Sequence, residues 1–337
     1  MGRPYALLRA GFPYLTTLGM RRLTNYPVDL AIGEEGRLYC LSRGDGYTEI
    51  VRTNWDDEYL GSISSVGGGE GQMTWPAALI RDRDEDLFVC DEALHRISKF
   101  SREGEFLGSW GEHGDGDGQL NRPSGIAFDS EENIYVVDTL NHRIQKFTKD
   151  GAFLTKWGRF GEGEGEFNMP WGITVDERGD VYVSDWRNDR IQKFTAYGQF
   201  VFMLGASGKG DGQFNRPAGL AVDPDGDIYV ADWNNDRVQQ FDATGRYLDK
   251  FIGDATLGKA ARTYVLANPK PLRLREMTSL EPSKRLRGPS SVRLDDQGRM
   301  YITDYGSHRI QVYKKEAYPL EPDQLIPPLR SPLLYTV

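Results

Sequence analysis

Along the 337-residue chain, hydrophobic and polar positions alternate in short runs rather than in helical stripes. From Pro170 the chain reads "PWGITVDERGDVYVSDWRNDRIQKF", and from Pro217 it reads "PAGLAVDPDGDIYVADWNNDRVQQF". Each passage holds three apolar alternations separated by clusters of Gly, Asp and Asn. A period of two bounded by turn residues predicts strands. A further Gly-containing turn leads to a fourth run, such as "QFVFMLG". The unit recurs. Pro76, Pro123, Pro170 and Pro217 lie 47 residues apart, Pro27 lies 49 before Pro76, and Pro289 lies 72 after Pro217. That makes six copies, with 25 extra residues between the fifth and the sixth. One four-stranded unit buries little by itself, so the copies are expected to close into an all-β, six-bladed propeller of antiparallel blades.

At "PxGIxxDxxGxxYVxDxxNxRIQxF…GxGxGxFNxP" the chain resembles the NHL-repeat family. Copies two to five, Trp75 to Gly253, follow this pattern, as does the sixth, "RGPSSVRLDDQGRMYITDYGSHRIQVY". The first copy is degenerate. The resemblance implies the propeller fold and leaves the function open, because NHL propellers serve both as interaction platforms and as enzymes.

The expected organisation is an N-terminal extension (1–11), a propeller (12–313) and a Pro-rich tail (314–337) that is extended. The copies lie near 27–75, 76–122, 123–169, 170–216, 217–253 and 289–313. The sixth has only three clear strands, and an open ring would leave unpaired edges. The segment "FPYLTTLGM" (12–20) looks like a fourth strand without its first three, so it is expected to complete the last blade. Within the insertion (254–287), "LGKAARTYVLA" and "KPLRLREMTSL" are expected to form two short helices separated by Asn268–Pro269.

The net charge of −9 makes the chain a poor wrapper of nucleic acid. Cys40 and Cys90 are too few for a disulfide scaffold and read as buried hydrophobes. Pro and Arg interrupt the apolar N-terminus, and no run approaches a membrane span. The expectation is a cytoplasmic, monomeric ring.

Asp91, Asp138, Asp185, Asp232 and Asp304 share one slot, and Arg96, Arg143, Arg190, Arg237 and Arg309 follow five residues later. These are read as structural pairs, since catalysis rarely needs five copies of a residue. The first copy has Ser42 in the Asp slot and no equivalent Arg. His95, His142 and His308 alternate with Asp189 and Asp236 just before the Arg, which suggests residues that order a loop. "DPDGD" (223–227) fails the calcium-loop pattern and reads as a hairpin turn.

Function is sought where one copy departs from the others. The loop before the first strand and the loop between strands two and three emerge on the same face. There stand Trp75, Met169, Trp171, Trp186, Trp233 and Tyr305, interleaved with Arg122, Arg187, Asn188, Arg216 and Asn234. Trp, Tyr and Arg are the residues enriched at binding hot spots. The competing reading is that the rings pack between blades. The insertion, with eight basic and three acidic residues, is placed on the same face as a lid or docking arm, against a decorated loop on the rim.

These features point to a non-catalytic platform that docks a protein or a small molecule, without a cofactor or a membrane. One alternative is a channel-metal enzyme, a lactonase-like hydrolase or a lyase, holding a divalent cation. Some NHL-like propellers resemble the peptidyl-hydroxyglycine lyases, which place zinc-binding His directly after the blade Pro; this chain has Val28, Ala77, Ser124, Trp171, Ala218 and Ser290 there, so that zinc site is expected to be absent. A weaker alternative is single-stranded RNA binding through stacked aromatics and Arg.

Overall fold

The computed structural model describes residues 6–19, 23–44, 46–277 and 279–320. Six four-stranded antiparallel sheets form a closed ring. In blade four the strands are Pro170–Val175, Val181–Asp185, Arg190–Phe194 and Phe200–Leu204, and the other blades repeat this order. The first strands of successive blades touch one another all the way round, which places them innermost along the central channel. Six separate apolar layers lie between the blades. Each takes residues from two neighbours, as where Val137 and Ile144 of blade three meet Ile173 and Val183 of blade four. No blade therefore has a core of its own, which is why the repeat must close.

Closure uses both ends of the chain. The N-terminal strand Tyr14–Gly19 pairs with Arg309–Lys314 and supplies the fourth strand of blade six. Phe12, just before it, sets its ring edge-on against Tyr229 and Phe251 of blade five. A second pairing joins Ala6–Gly11, within the expected extension, to Glu316–Leu320, the start of the expected tail. This ribbon docks on the "DPDGD" turn. Lys315 Nζ lies 2.7 Å from Asp225 and 3.0 Å from Asp227, and the Arg9 guanidinium also pairs with Asp227. The turn's acidic side chains thus hold two cations of the protein itself. Residues 321–337 of the tail lie outside the described residues.

Blade one is a full blade despite its degenerate sequence. Without an Asp to end the second strand, the hairpin Arg37–Gly44/Tyr47–Asn54 runs eight residues per strand where blades two to five have five. The insertion forms α1 (Lys259–Ala267), α2 (Pro269–Glu276) and a single turn, α3 (Glu281–Lys284). Its stems are anchored at the rim, where Ile252 O accepts from Leu286 N and Arg309 donates to the carbonyls of Ser283 and Arg285. Among the described residues no helix is long and apolar enough to cross a membrane. Cys40 and Cys90 are buried free thiols, and burial pushes both up, Cys40 to about 12.

Candidate functional site: an aromatic cavity at the channel mouth

The geometry of the site follows from the register of strands one and two. In blades two to six the Pro that opens the first strand sits opposite the Asp that closes the second, as Pro170 sits opposite Asp185, and in blade one Pro27 sits opposite Ser42. One extra residue bulges out just after the Pro. A bulge re-aims side chains and tightens the bend. The residue after Pro and the residue after Asp therefore emerge together at one end of the channel.

Below that mouth the ring is tight. A Cβ on Gly172 would stand 2.3 Å from the Ala218 carbonyl, and one on Gly125 would stand 2.5 Å from that of Trp171. At the same level Asp29 and Arg293 form a buried pair. Asp29 is 2% exposed and accepts from Arg293 Nε at 2.9 Å, Ser291 Oγ at 2.6 Å and Leu79 N at 2.8 Å. It thereby ties blade one to blades six and two.

The repeated charges act on the loops that carry the mouth. Asp185 is buried and accepts from Asn168 N, Asn188 Nδ2 and Arg190 Nε at 2.8, 2.8 and 2.9 Å. Burial raises its carboxyl against the pull of these donors. Arg190 continues to the carbonyls of Glu162, Gly163 and Glu166. Asp138–Arg143, Asp232–Arg237 and Asp304–Arg309 meet in the same way at 2.7–2.8 Å. Asp91 and Arg96 do not pair. Asp91 accepts the backbone N–H groups of Thr74, Trp75, Ala93 and Leu94, and Arg96 donates to the carbonyls of Gly69 and Gln72. The expected pair fails there: Asp91 is taken up by four N–H donors, and the buried Arg96 Nε has no partner among the described residues.

The His/Asp slot latches blade to blade. Arg122 N donates to His95 Nδ1 at 3.0 Å, Met169 N to His142 Nδ1 at 3.0 Å, and Tyr26 N to His308 Nδ1 at 3.1 Å. In two further junctions Arg216 N donates to Asp189 and Gly288 N to Asp236, at 2.6 and 2.7 Å. All five acceptors sit in the left-handed region, with φ of 51–55°. Each N–H belongs to the residue before the next blade's Pro. Sequence reading assigned this slot to loop ordering, and the unnoticed part was that the ordered loop belongs to the neighbouring blade.

Above the constriction lies a cavity of about 340 Å³. The six residues that follow the partner of the blade Pro all line it: Arg43, Glu92, Thr139, Trp186, Trp233 and Tyr305. Half of that ring is polar and half is aromatic. Trp171 and Val28 come from the position after Pro, and Trp75, Arg122 and Met169 from the position before it. Trp171 and Trp186 lie 6.1 Å apart at 32°. Trp75, Trp171, Trp186 and Trp233 belong to none of the six inter-blade layers, whereas Tyr305 packs against the layer between blades one and two.

Arg187, Asn188, Arg216 and Asn234 do not line the cavity. Arg216 and Arg187 stand over the Trp186 ring, at 4.8 and 5.5 Å. Asn188 donates its amide to Asp185 and to the Gly161 carbonyl, and Asn234 is exposed. No described residue of the insertion lines the cavity either.

Sequence reading missed Arg43 and Glu92, which are the charged wall. Arg43 stacks on Trp75 at 4.6 Å and donates to Glu92 Oε1 at 3.1 Å. Arg122 donates to Glu92 Oε2 at 3.2 Å. Glu92 is 4% exposed, and its burial pushes the carboxyl up against the two guanidinium groups. Among the described residues no three His, Cys, Asp or Glu side chains gather into a metal-binding cluster.

The model of the NHL repeat matches residues 120–147, 167–194, 214–241 and 286–313. The chain is an NHL-repeat propeller. A comparison with curated proteins finds no match. Among solved structures, this NHL propeller is similar to one titled streptogramin B lyase, at 14% identity and TM-score 0.56, covering 92% of this chain and 88% of that one. It is similar to a catalytically inactive virginiamycin B lyase from Staphylococcus aureus with quinupristin, at 14% identity and TM-score 0.57, covering 93% and 90%. A protein of unknown function from Bacteroides thetaiotaomicron matches at 17% identity and TM-score 0.61, covering 91% and 72%. At such identities the likeness concerns the fold.

Proposed function

We propose that the NHL propeller is a binding platform whose ligand docks into the aromatic cavity at the channel mouth. The observation that carries this reading is the ring of residues that follow the partner of the blade Pro. Six positions equivalent by repeat hold six side chains suited to contact, around one cavity, and three of them are large aromatics. A rigid scaffold with variable residues at one loop level is how repeat folds present a site. The volume is at the small end of ligand pockets, roughly 300–1,000 Å³. Ser124 and Thr139 bond each other and the Pro170 and Trp171 carbonyls, so the wall's unspent chemistry is aromatic, Arg and Glu. The test is a ligand-observed NMR screen of a diverse fragment set against wild type and the Trp186→Ala/Trp233→Ala variant. Hits lost in the variant support the reading. Hits retained throughout contradict it.

Glu92 favours a second reading, an enzyme. It is a buried carboxyl raised by burial in the cavity wall, and two of the similar structures are titled lyases. Such groups suit general acid–base work. On that reading a Glu92→Gln variant keeps binding and loses turnover of any ligand the screen identifies.

A further inference from the structure

We infer that the ligand of this cavity is an anion carrying a planar apolar body, an aromatic carboxylate or a group of like shape and charge. This deepens the proposed binding function and rests on it.

The distribution of charge around the mouth carries the inference. The chain as a whole is acidic, with a net charge of −9. Among the residues that line the cavity the balance reverses. Arg43 and Arg122 stand in the wall, and Arg187 and Arg216 flank it over Trp186, with Asp189 beside Arg216. Glu92 is the one carboxylate among the described residues that lines it, and it is shared between Arg43 and Arg122. One negative charge held between two positive ones leaves the polar half with an excess of one.

Donors are also left over. Arg43 spends one terminal nitrogen on the Pro76 carbonyl and Glu92, while its other terminal nitrogen has no partner among the described residues. Arg122 gives Glu92 a single nitrogen and is half exposed. A guanidinium has five N–H donors in a planar fork that matches a carboxylate. A ligand carboxylate would satisfy donors that the protein leaves open, through charge-assisted bonds.

Aromatic walls also attract cations, and an aromatic cage is a known cation trap. Here that reading is weaker. The Trp186 ring already has two guanidinium groups over it, and a cationic ligand would meet Arg43 and Arg122 with their only counter-charge spent. The flat surfaces of Trp171, Trp186 and Trp233 instead suit the ligand's apolar body.

The experiment uses three probes with one body: 2-naphthoate, 2-naphthylmethanol and (2-naphthylmethyl)trimethylammonium. Affinities for the full chain are measured by titration calorimetry at low and high salt. Naphthoate is expected to bind about tenfold tighter than the alcohol at low salt, with the cation weakest. Arg122→Met should remove most of that preference. Glu92→Gln should tighten naphthoate severalfold, because it frees both guanidinium groups, whereas a cation site would weaken. Preference for the cation, no binding of naphthoate at millimolar concentration, or weaker naphthoate binding in Glu92→Gln overturns the inference. If all three probes bind alike and all are lost in Trp186→Ala/Trp233→Ala, the cavity stands and only its charge class falls. If binding ignores the Trp pair, the platform reading itself falls.

Discussion

The imidazole of His142, in blade three, accepts the backbone N–H of Met169 at 3.0 Å, and Met169 is the last residue before blade four. One side chain thus fixes how the next blade enters the ring and where a cavity-lining residue stands. His95 does the same for Arg122. Such a bond contributes on the order of 1 kcal/mol. His142→Ala is expected to lower the melting temperature and to weaken binding at the cavity. His142→Asp is expected to restore both, because Asp189 and Asp236 already perform this task in other blades. An alanine variant indistinguishable from wild type in melting and binding would sink the latch.

The latch also sets a pH dependence. Burial lowers the imidazole pKa of both His95 and His142. The ring nitrogen that accepts must be unprotonated, so the folded state binds fewer protons here than the unfolded one. The latches' stability is present above the ordinary His value of about 6.5 and is lost as pH falls through the lowered folded-state value. The His95→Asp/His142→Asp variant should therefore lose less melting temperature than wild type between about pH 7.5 and pH 5.5. Calorimetric melting at the two pH values checks this. An equal or greater loss in the variant contradicts it.

Removal of residues 1–20 should lower the melting temperature sharply. It takes away the strand Tyr14–Gly19, with buried Thr17 and Leu18, and exposes the edge of Arg309–Lys314. An exposed edge is a template for aggregation, so light scattering should rise with the melt. A truncated chain that melts like wild type and stays monodisperse refutes closure by the N-terminus.

Asp29 and Arg293 hold the channel where blades six, one and two meet. Asp29→Ala leaves the part-buried Arg293 guanidinium without its partner, at a cost of about 1–3 kcal/mol. Denaturant unfolding measures it. A loss well under 1 kcal/mol would show that the pair does not pin the ring.

Much of this could be read from the chain because a repeat states each local decision several times. The 47-residue period, the Asp–Arg slots and the strand at 12–20 all follow from alternation and turn residues. Trp75, Arg122, Met169, Trp171, Trp186, Trp233 and Tyr305 could be grouped because each stands at one of three repeat positions. Arg43 and Glu92 escaped for opposite reasons. Arg43 lies in the degenerate copy, inside a strand rather than a turn. Glu92 is a carboxylate in a slot that blades four, five and six fill with aromatics. Asp29 and Arg293 come from opposite ends of the chain and meet only on closure. Asn188 was misassigned because a loop amide can face a ligand or its own blade, and Asp185 claims it here.

The most direct measurement is a crystallographic fragment soak of the wild-type propeller, read at the channel mouth. The account predicts that fragments cluster against Trp171, Trp186 and Trp233, with their acidic groups toward Arg43 and Arg122. Fragments gathered at the opposite mouth, around Leu30, Phe128 and Leu294, with the aromatic cavity empty, would contradict it.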